Sequence, residues 1–175
     1  VRDLGPALQG VQVAAAQTFT PTGSMTVPRV GHQAVLLPNG KVLATSGWNQ
    51  ATGLVYSSAE LFDPATGTWT STSPMAVGSW YHSATLLLNG KVLVAGGING
   101  SARSRAELYD SATETWTPTG SMTSPRQGMQ TTLLLDGKVL VAGGQGPDGP
   151  DGAAALGAGA RRRRHARKVL EDRSH

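Results

Sequence analysis

The sequence predicts an all-β protein built from repeated four-stranded antiparallel sheets and ending in a basic low-complexity tail. Three observations carry that expectation. Asn39-Gly40-Lys41-Val42-Leu43 recurs as Asn89-Gly90-Lys91-Val92-Leu93 and as Asp136-Gly137-Lys138-Val139-Leu140. Each copy closes on small residues, Ser46-Gly47, Gly96-Gly97 and Gly143-Gly144. The whole pattern repeats, with Met25, Met75 and Met122 spaced 50 and 47 residues apart. The 23 glycines among 175 residues, with only 5% aromatics, suit many short strands joined by turns.

Taken in order, each unit reads as four strands. The first covers 31–37, 81–88 and 128–135. An Asn-Gly or Asp-Gly pair then makes a tight hairpin, expected to be of the two-residue type that needs positive φ at both central positions. The second strand, 41–45, 91–95 and 138–142, is almost continuously apolar, the mark of burial on both faces. The third is Ala59-Glu60-Leu61-Phe62-Asp63, repeated as Ala106-Glu107-Leu108-Tyr109-Asp110. The fourth centres on Trp69 and Trp116. Four antiparallel strands about every 50 residues is the pattern of a propeller blade.

The resulting organisation is a lead-in over 1–16 and repeats over 17–144. The repeats comprise the outer strand of a preceding blade at 17–20, blades at 28–70 and 79–117, and half a blade at 126–144. After Gly144 the expected third strand is replaced by a Gly/Pro/Ala stretch, so 145–175 reads as a linker and basic tail, disordered or partly helical.

With these motifs the unit resembles the kelch repeat, especially its bacterial variety: Pro-Arg-x-Gly-His at the entry, then Asn-Gly-Lys-Val-Leu-Val-x-Gly-Gly, Ala-Glu-Leu-Tyr-Asp and Thr-x-Thr-Trp. The copies depart from it at Ser46, Phe62, Ser79 and Met129. The resemblance implies a kelch-type β-propeller fragment of two full blades and half of a third. It also implies a binding or scaffold role; some relatives of the fold are copper-radical oxidases resembling galactose oxidase, and others are sialic-acid epimerases. The oxidase chemistry needs a Tyr cross-linked to Cys, and this chain has no Cys.

Most repeated residues read as structural. Gly47, Gly96, Gly97, Gly143 and Gly144 let the chain turn and pack closely after a buried strand. Trp69 and Trp116 offer large rings to the seams between blades, and Phe62 and Tyr109 recur as residues of the same structural motif. Asp63 and Asp110 cap turns, Glu60 and Glu107 make a blade-to-blade hydrogen bond, and His32 and His82 bond structurally. No nucleophile–base pair and no closely spaced ligand set suggests catalysis, a metal or a cofactor.

Recognition is expected instead on the loops after the second strand, where insertions between copies fall. They carry Trp48, Asn49 and Tyr56 in one blade and Asn99, Arg103 and Arg105 in the next, with Trp80 and Tyr81 at the same rim. The partner would be a protein or a glycan. Asn99-Gly100-Ser101 also fits an N-glycosylation triplet.

Charge separates body from tail. Seven of the 15 basic residues lie in 161–175 against two of the 11 acidic ones, so 1–160 holds eight basic and nine acidic groups. The body therefore has no electrostatic footprint for nucleic acid. Arg161, Arg162, Arg163, Arg164, Arg167 and Lys168 form a polyanion-binding candidate. No apolar run is long enough to span a bilayer, and no secretory signal is legible, although export is plausible by analogy with the family. Uncovered apolar blade faces predict either a piece of a longer protein or self-association through those faces, because each exposed Leu or Val forgoes about 1.5–3 kcal/mol.

Overall fold

A computed structural model describes residues 20–147, 149–150 and 154–156. Its first sheet orders β1 (Gln33–Leu36), β2 (Val42–Thr45), β3 (Ala59–Asp63) and β4 (Thr68–Thr72) consecutively. In the second sheet, β5 (Ser83–Leu86) and β6 (Val92–Ala95) pair with β9 (Ala106–Asp110) and β10 (Thr115–Thr119) in the same order. Between them, β7 (Ile98–Asn99) and β8 (Ser101–Ala102) form a small hairpin. All pairs are antiparallel and in equivalent register: Val42 faces Phe62 as Val92 faces Tyr109.

The third sheet departs from the expected half blade. β11 (Gln130–Leu133) pairs with β12 (Val139–Ala142), and the hairpin β13 (Gln145–Gly146) and β14 (Gly149–Pro150) follows. β15 (Ala154–Leu156) then pairs along β12, with Val141 opposite Ala154 and Val139 opposite Leu156. This is the place of Glu107 and Tyr109 in the second sheet, reached ten residues after the second glycine in both cases. An unpaired edge of β12 presents a row of free N–H and C=O groups, and these recruit a segment that lacks the consensus side chains.

The hairpin between the first two strands also differs from the expected type. Gly40, Gly90 and Gly137 have φ of 83°, 79° and 79°, whereas Asn39, Asn89 and Asp136 are not in the positive-φ region. Gly40 N–H donates to Leu37 O and Leu37 N–H to Lys41 O. This is a three-residue loop with only its last residue left-handed, which suits Pro38 at its first position. The Asn or Asp serves another purpose. Its Oδ1 accepts the N–H of Lys41, Lys91 or Lys138, each at 3.1 Å, fixing the turn from within.

The sheets stack face to face with one apolar layer in each seam. Leu43, Leu61 and Leu37 of the first sheet meet Val92, Val94 and Tyr109 of the second. Leu93, Ala95 and Ala106 on the opposite face of the second sheet meet Val139, Val141 and Met129 of the third. Alternate residues of one strand thus serve different seams, which is why the second strand of each unit is apolar throughout. Met75 and Met122 plug the two seams.

The Trp residues tie each outer strand to the sheet before it. Trp116 Nε1 donates to Ser73 O at 2.8 Å, and Trp69 Nε1 to Gly23 O at 2.9 Å. Segment 20–25 therefore runs where the end of a preceding fourth strand would; the rest of the outer strand expected at 17–20 lies outside the described residues, as does the lead-in.

Candidate recognition face

The loops after the second strand start from a buried latch. In the first blade Arg29 donates through Nη1 to Ser46 O (2.8 Å) and Ser58 O (2.9 Å), and through Nη2 to Glu60 Oε1 (2.5 Å). Both side chains are buried. Glu60 Oε2 accepts Thr26 N–H at 2.7 Å, and Glu107 Oε2 accepts Ala76 N–H at 3.0 Å, so each Glu holds the segment that leads into its own blade rather than another sheet. Burial pushes the Glu60 carboxyl up, but the Thr26 N–H and the Arg29 guanidinium outweigh it and hold the group below the usual carboxylate range.

The Gly-Gly pairs join one blade to the next. Gly47 N–H donates to Ser79 O (3.0 Å) and Gly97 N–H to Arg126 O (2.8 Å). A Cβ on Gly97 would lie 2.8 Å from Trp80 O and 2.9 Å from both His82 and Ser79, and its φ is 88°. Ser46, which replaces the first glycine, keeps the left-handed φ of 55°. Its Oγ lies 2.6 Å from the carbonyls of Tyr56 and Ser79 and accepts Ser79 N–H at 2.7 Å. The hydroxyl turns a steric problem into a cross-seam bond.

On this base the aromatic candidates converge. Trp48 pairs with Val30 as an isolated bridge, and Trp80 pairs with Ile98 in the equivalent place. The register brings the Trp48 and Trp80 rings together across the seam, stacked at 5.0 Å and 28°. Tyr81 follows at 4.4 Å from Trp80 and is 49% exposed. Its φ is 54°, where its counterparts are Gly31 (63°) and Gly128 (63°). Tyr81 N–H donates to Gly31 O and Gly128 N–H to Tyr81 O, so this strained residue sits in a hydrogen-bonded line running from blade to blade.

The remaining candidates are less concentrated. Asn49 Nδ2 donates to Tyr56 Oη at 2.9 Å, and the Tyr56 ring lies 5.6 Å from the Arg29 guanidinium carbon. Asn99 Nδ2 donates to Gly78 O (3.1 Å), and Arg103 Nη2 donates to Asn99 O (2.8 Å). Arg105 stands apart, with Nη2 3.6 Å from Glu107 Oε1. The polyanion candidates Arg161, Arg162, Arg163, Arg164, Arg167 and Lys168 lie outside the described residues. Among the described residues no group of three or more His, Asp or Glu is placed to hold a metal ion, and no helix is long and apolar enough to cross a membrane.

Sequence reasoning did not single out Arg29, Arg126 or Ser46 as working parts. The signal was present, because each sits at an offset where the copies disagree: Arg29 and Arg126 against Ser79, and Ser46 against Gly96.

Four-stranded antiparallel leaves stacked through repeated seams define a β-propeller fragment. Residues 79–123, which span the second sheet, match the family model of the Kelch motif, and the Asn/Asp-Gly-Lys-Val-Leu run of that sheet recurs in the first and third. No curated protein matches the chain. A Kelch motif set in blade-like sheets supports a binding or scaffold module.

Proposed function

We propose that the chain is a non-catalytic recognition module that engages a protein or glycan through the loops following the second strand of each blade. The stack of Trp48, Trp80 and Tyr81 carries this reading. Three rings from two adjacent blades form one contiguous surface, held by backbone bridges and a strained backbone at Tyr81. Rigid aromatics lose little conformational entropy on binding and dominate recognition surfaces. Asn49 and Asn99, on the same loops, add polar groups to that reading.

The test presents the purified chain to a glycan array and to a displayed peptide library, alongside Trp48→Ala and Tyr81→Gly variants. Hits on one of the two that weaken about tenfold or more in both variants, a loss of about 1.4 kcal/mol, support the reading. Hits indifferent to both variants overturn it.

Self-association through the outward face of the first blade belongs to the same reading. Leu36 is 63% exposed there, whereas its counterpart Leu86 packs into the first seam. A mass in solution above that of one chain, reduced by Leu36→Asp, is the expected result; a monomer at all concentrations counts against it.

A further inference from the structure

The second blade carries the guanidinium receptor of its neighbours without the guanidinium. In the first blade Arg29 fills a slot between the end of β2 and the start of β3, bonding Ser46 O, Ser58 O and Glu60 Oε1. In the third, Arg126 Nη1 donates to Gly143 O, the counterpart of Ser46 O, at 3.1 Å. In the second the corresponding residue is Ser79, and a cleft lies there, lined by Ser79, Val94, Gly96, Arg103, Arg105 and Glu107 among others. Among its lining residues, Gly96, Arg105 and Glu107 are the repeat-position counterparts of Ser46, Ser58 and Glu60, whose Ser46 O, Ser58 O and Glu60 carboxylate hold Arg29. Arg105 O accepts Gly96 N–H just as Ser58 O accepts Ser46 N–H while also bonding Arg29.

Glu107 is 3% exposed, and its Oε1 has Arg105 Nη2 only at 3.6 Å, beyond hydrogen-bond reach. Arg105 balances the charge from the rim, with its side chain 45% exposed. It is free to swing outward without breaking a short bond. Arg103 also lines the cleft, with Nη2 held on Asn99 O and its buried Nε without a hydrogen-bond partner among the described residues. From this geometry we infer that the Ser79 cleft is a binding site for an incoming guanidinium, the side chain of an arginine in a polypeptide.

The bound guanidinium donates to Gly96 O, Arg105 O and Glu107 Oε1, and Arg105 yields its place, so the local charge is unchanged. A planar fork of donors fits this set of acceptors; an ammonium does not. The arginine comes from a partner or from the chain's own Arg161, Arg162, Arg163 and Arg164. The aromatic stack is not required, so this inference does not rest on the function proposed above.

The experiment titrates ethylguanidinium into the full chain at constant ionic strength and follows backbone amide resonances. Saturable shifts are expected at Ala76, Gly96 and Glu107, with ethylammonium at least about tenfold weaker. Ser79→Arg fills the slot from within and abolishes the shifts; Ser79→Met does the same should the Arg variant fail to fold. Trp48→Ala leaves them intact. If the unaltered chain is silent but a chain with Arg161, Arg162, Arg163 and Arg164 all changed to Lys binds, the tail is the occupant. Silence in both chains overturns the inference, as does equal binding of ethylammonium or unchanged binding by the Ser79 variants.

Discussion

His82 Nε2 lies 2.8 Å from Thr45 Oγ1, a hydrogen bond that crosses the seam between the first two blades. In the next seam Met129 stands in place of His82, and Ala95, in place of Thr45, shares its apolar cluster. The repeats have therefore changed in pairs: a polar pair in one seam and an apolar pair in the other. Leaving a buried donor or acceptor without its partner costs about 1–3 kcal/mol, which penalises either mixed combination.

Acid should loosen the first seam. Burial pushes the His82 imidazole down to about 4, against a smaller upward pull from the Ser79 backbone, with His32 lowering it further. An unfolded histidine titrates near 6.5, so between the two values the unfolded chain binds the additional proton. Stability then rises with pH through this window, and acidification from above pH 6.5 to pH 4 removes on the order of 3 kcal/mol. His32, lowered by burial and by Arg29, adds in the same direction. Denaturant melts from pH 4 to 7 should show the slope. The double variant His82→Met with Thr45→Ala, which copies the second seam, should flatten most of it; an unchanged slope would refute the assignment.

Removing the latch should be severe. Arg29→Ala leaves the Glu60 carboxylate buried without its cation, a loss of about 3–5 kcal/mol. Chemical denaturation measures it directly. Because the folded Glu60 carboxyl is held below its usual range, its contribution is present above the ordinary carboxylate pKa and fades as pH falls through the folded one. The Arg29→Ala deficit should therefore shrink in acid.

Two glycines with the same handedness should behave differently. Gly97 and Gly100 have φ of 88° and 73°, but nothing lies within 4 Å of a Cβ on Gly100. Gly100→Ala should cost only the left-handed penalty of about 1–2 kcal/mol. Gly97→Ala adds collision with Trp80 O and the side chains of His82 and Ser79, and should exceed it by about 1–3 kcal/mol. Equal losses in thermal melts would show that the close approach of the blades does not matter.

Tyr81→Gly should separate stability from recognition. Glycine relieves the positive φ, worth about 1 kcal/mol, while removing the exposed ring of the stack. The melting temperature should hold or rise as ligand binding falls. A variant that loses both would mean that the Tyr81 ring is chiefly a packing group.

The repeat, the strand order and the apolar second strands could be read from the chain, because a period near 50 residues with Gly-Gly, Tyr and Trp at fixed offsets leaves few arrangements. The roles of single residues at seams could not. Met129 looks like a lapse from the histidine pattern until Ala95 is seen beside it, and Ser46 until its Oγ meets Ser79 O. Likewise, Ala154–Leu156 has no strand consensus and becomes a strand only because β12 offers a free edge.

By itself the sequence determined the local periodicity of this protein: hairpins, alternation and turn chemistry, all set within a few residues by φ/ψ limits and side-chain pattern. Only the tertiary structure decided which exceptions were compensated, which cleft was left without its arginine, and which aromatics met. Those depend on contacts between residues about 30 to 50 positions apart, where stacking distance and register, not neighbouring sequence, set the geometry.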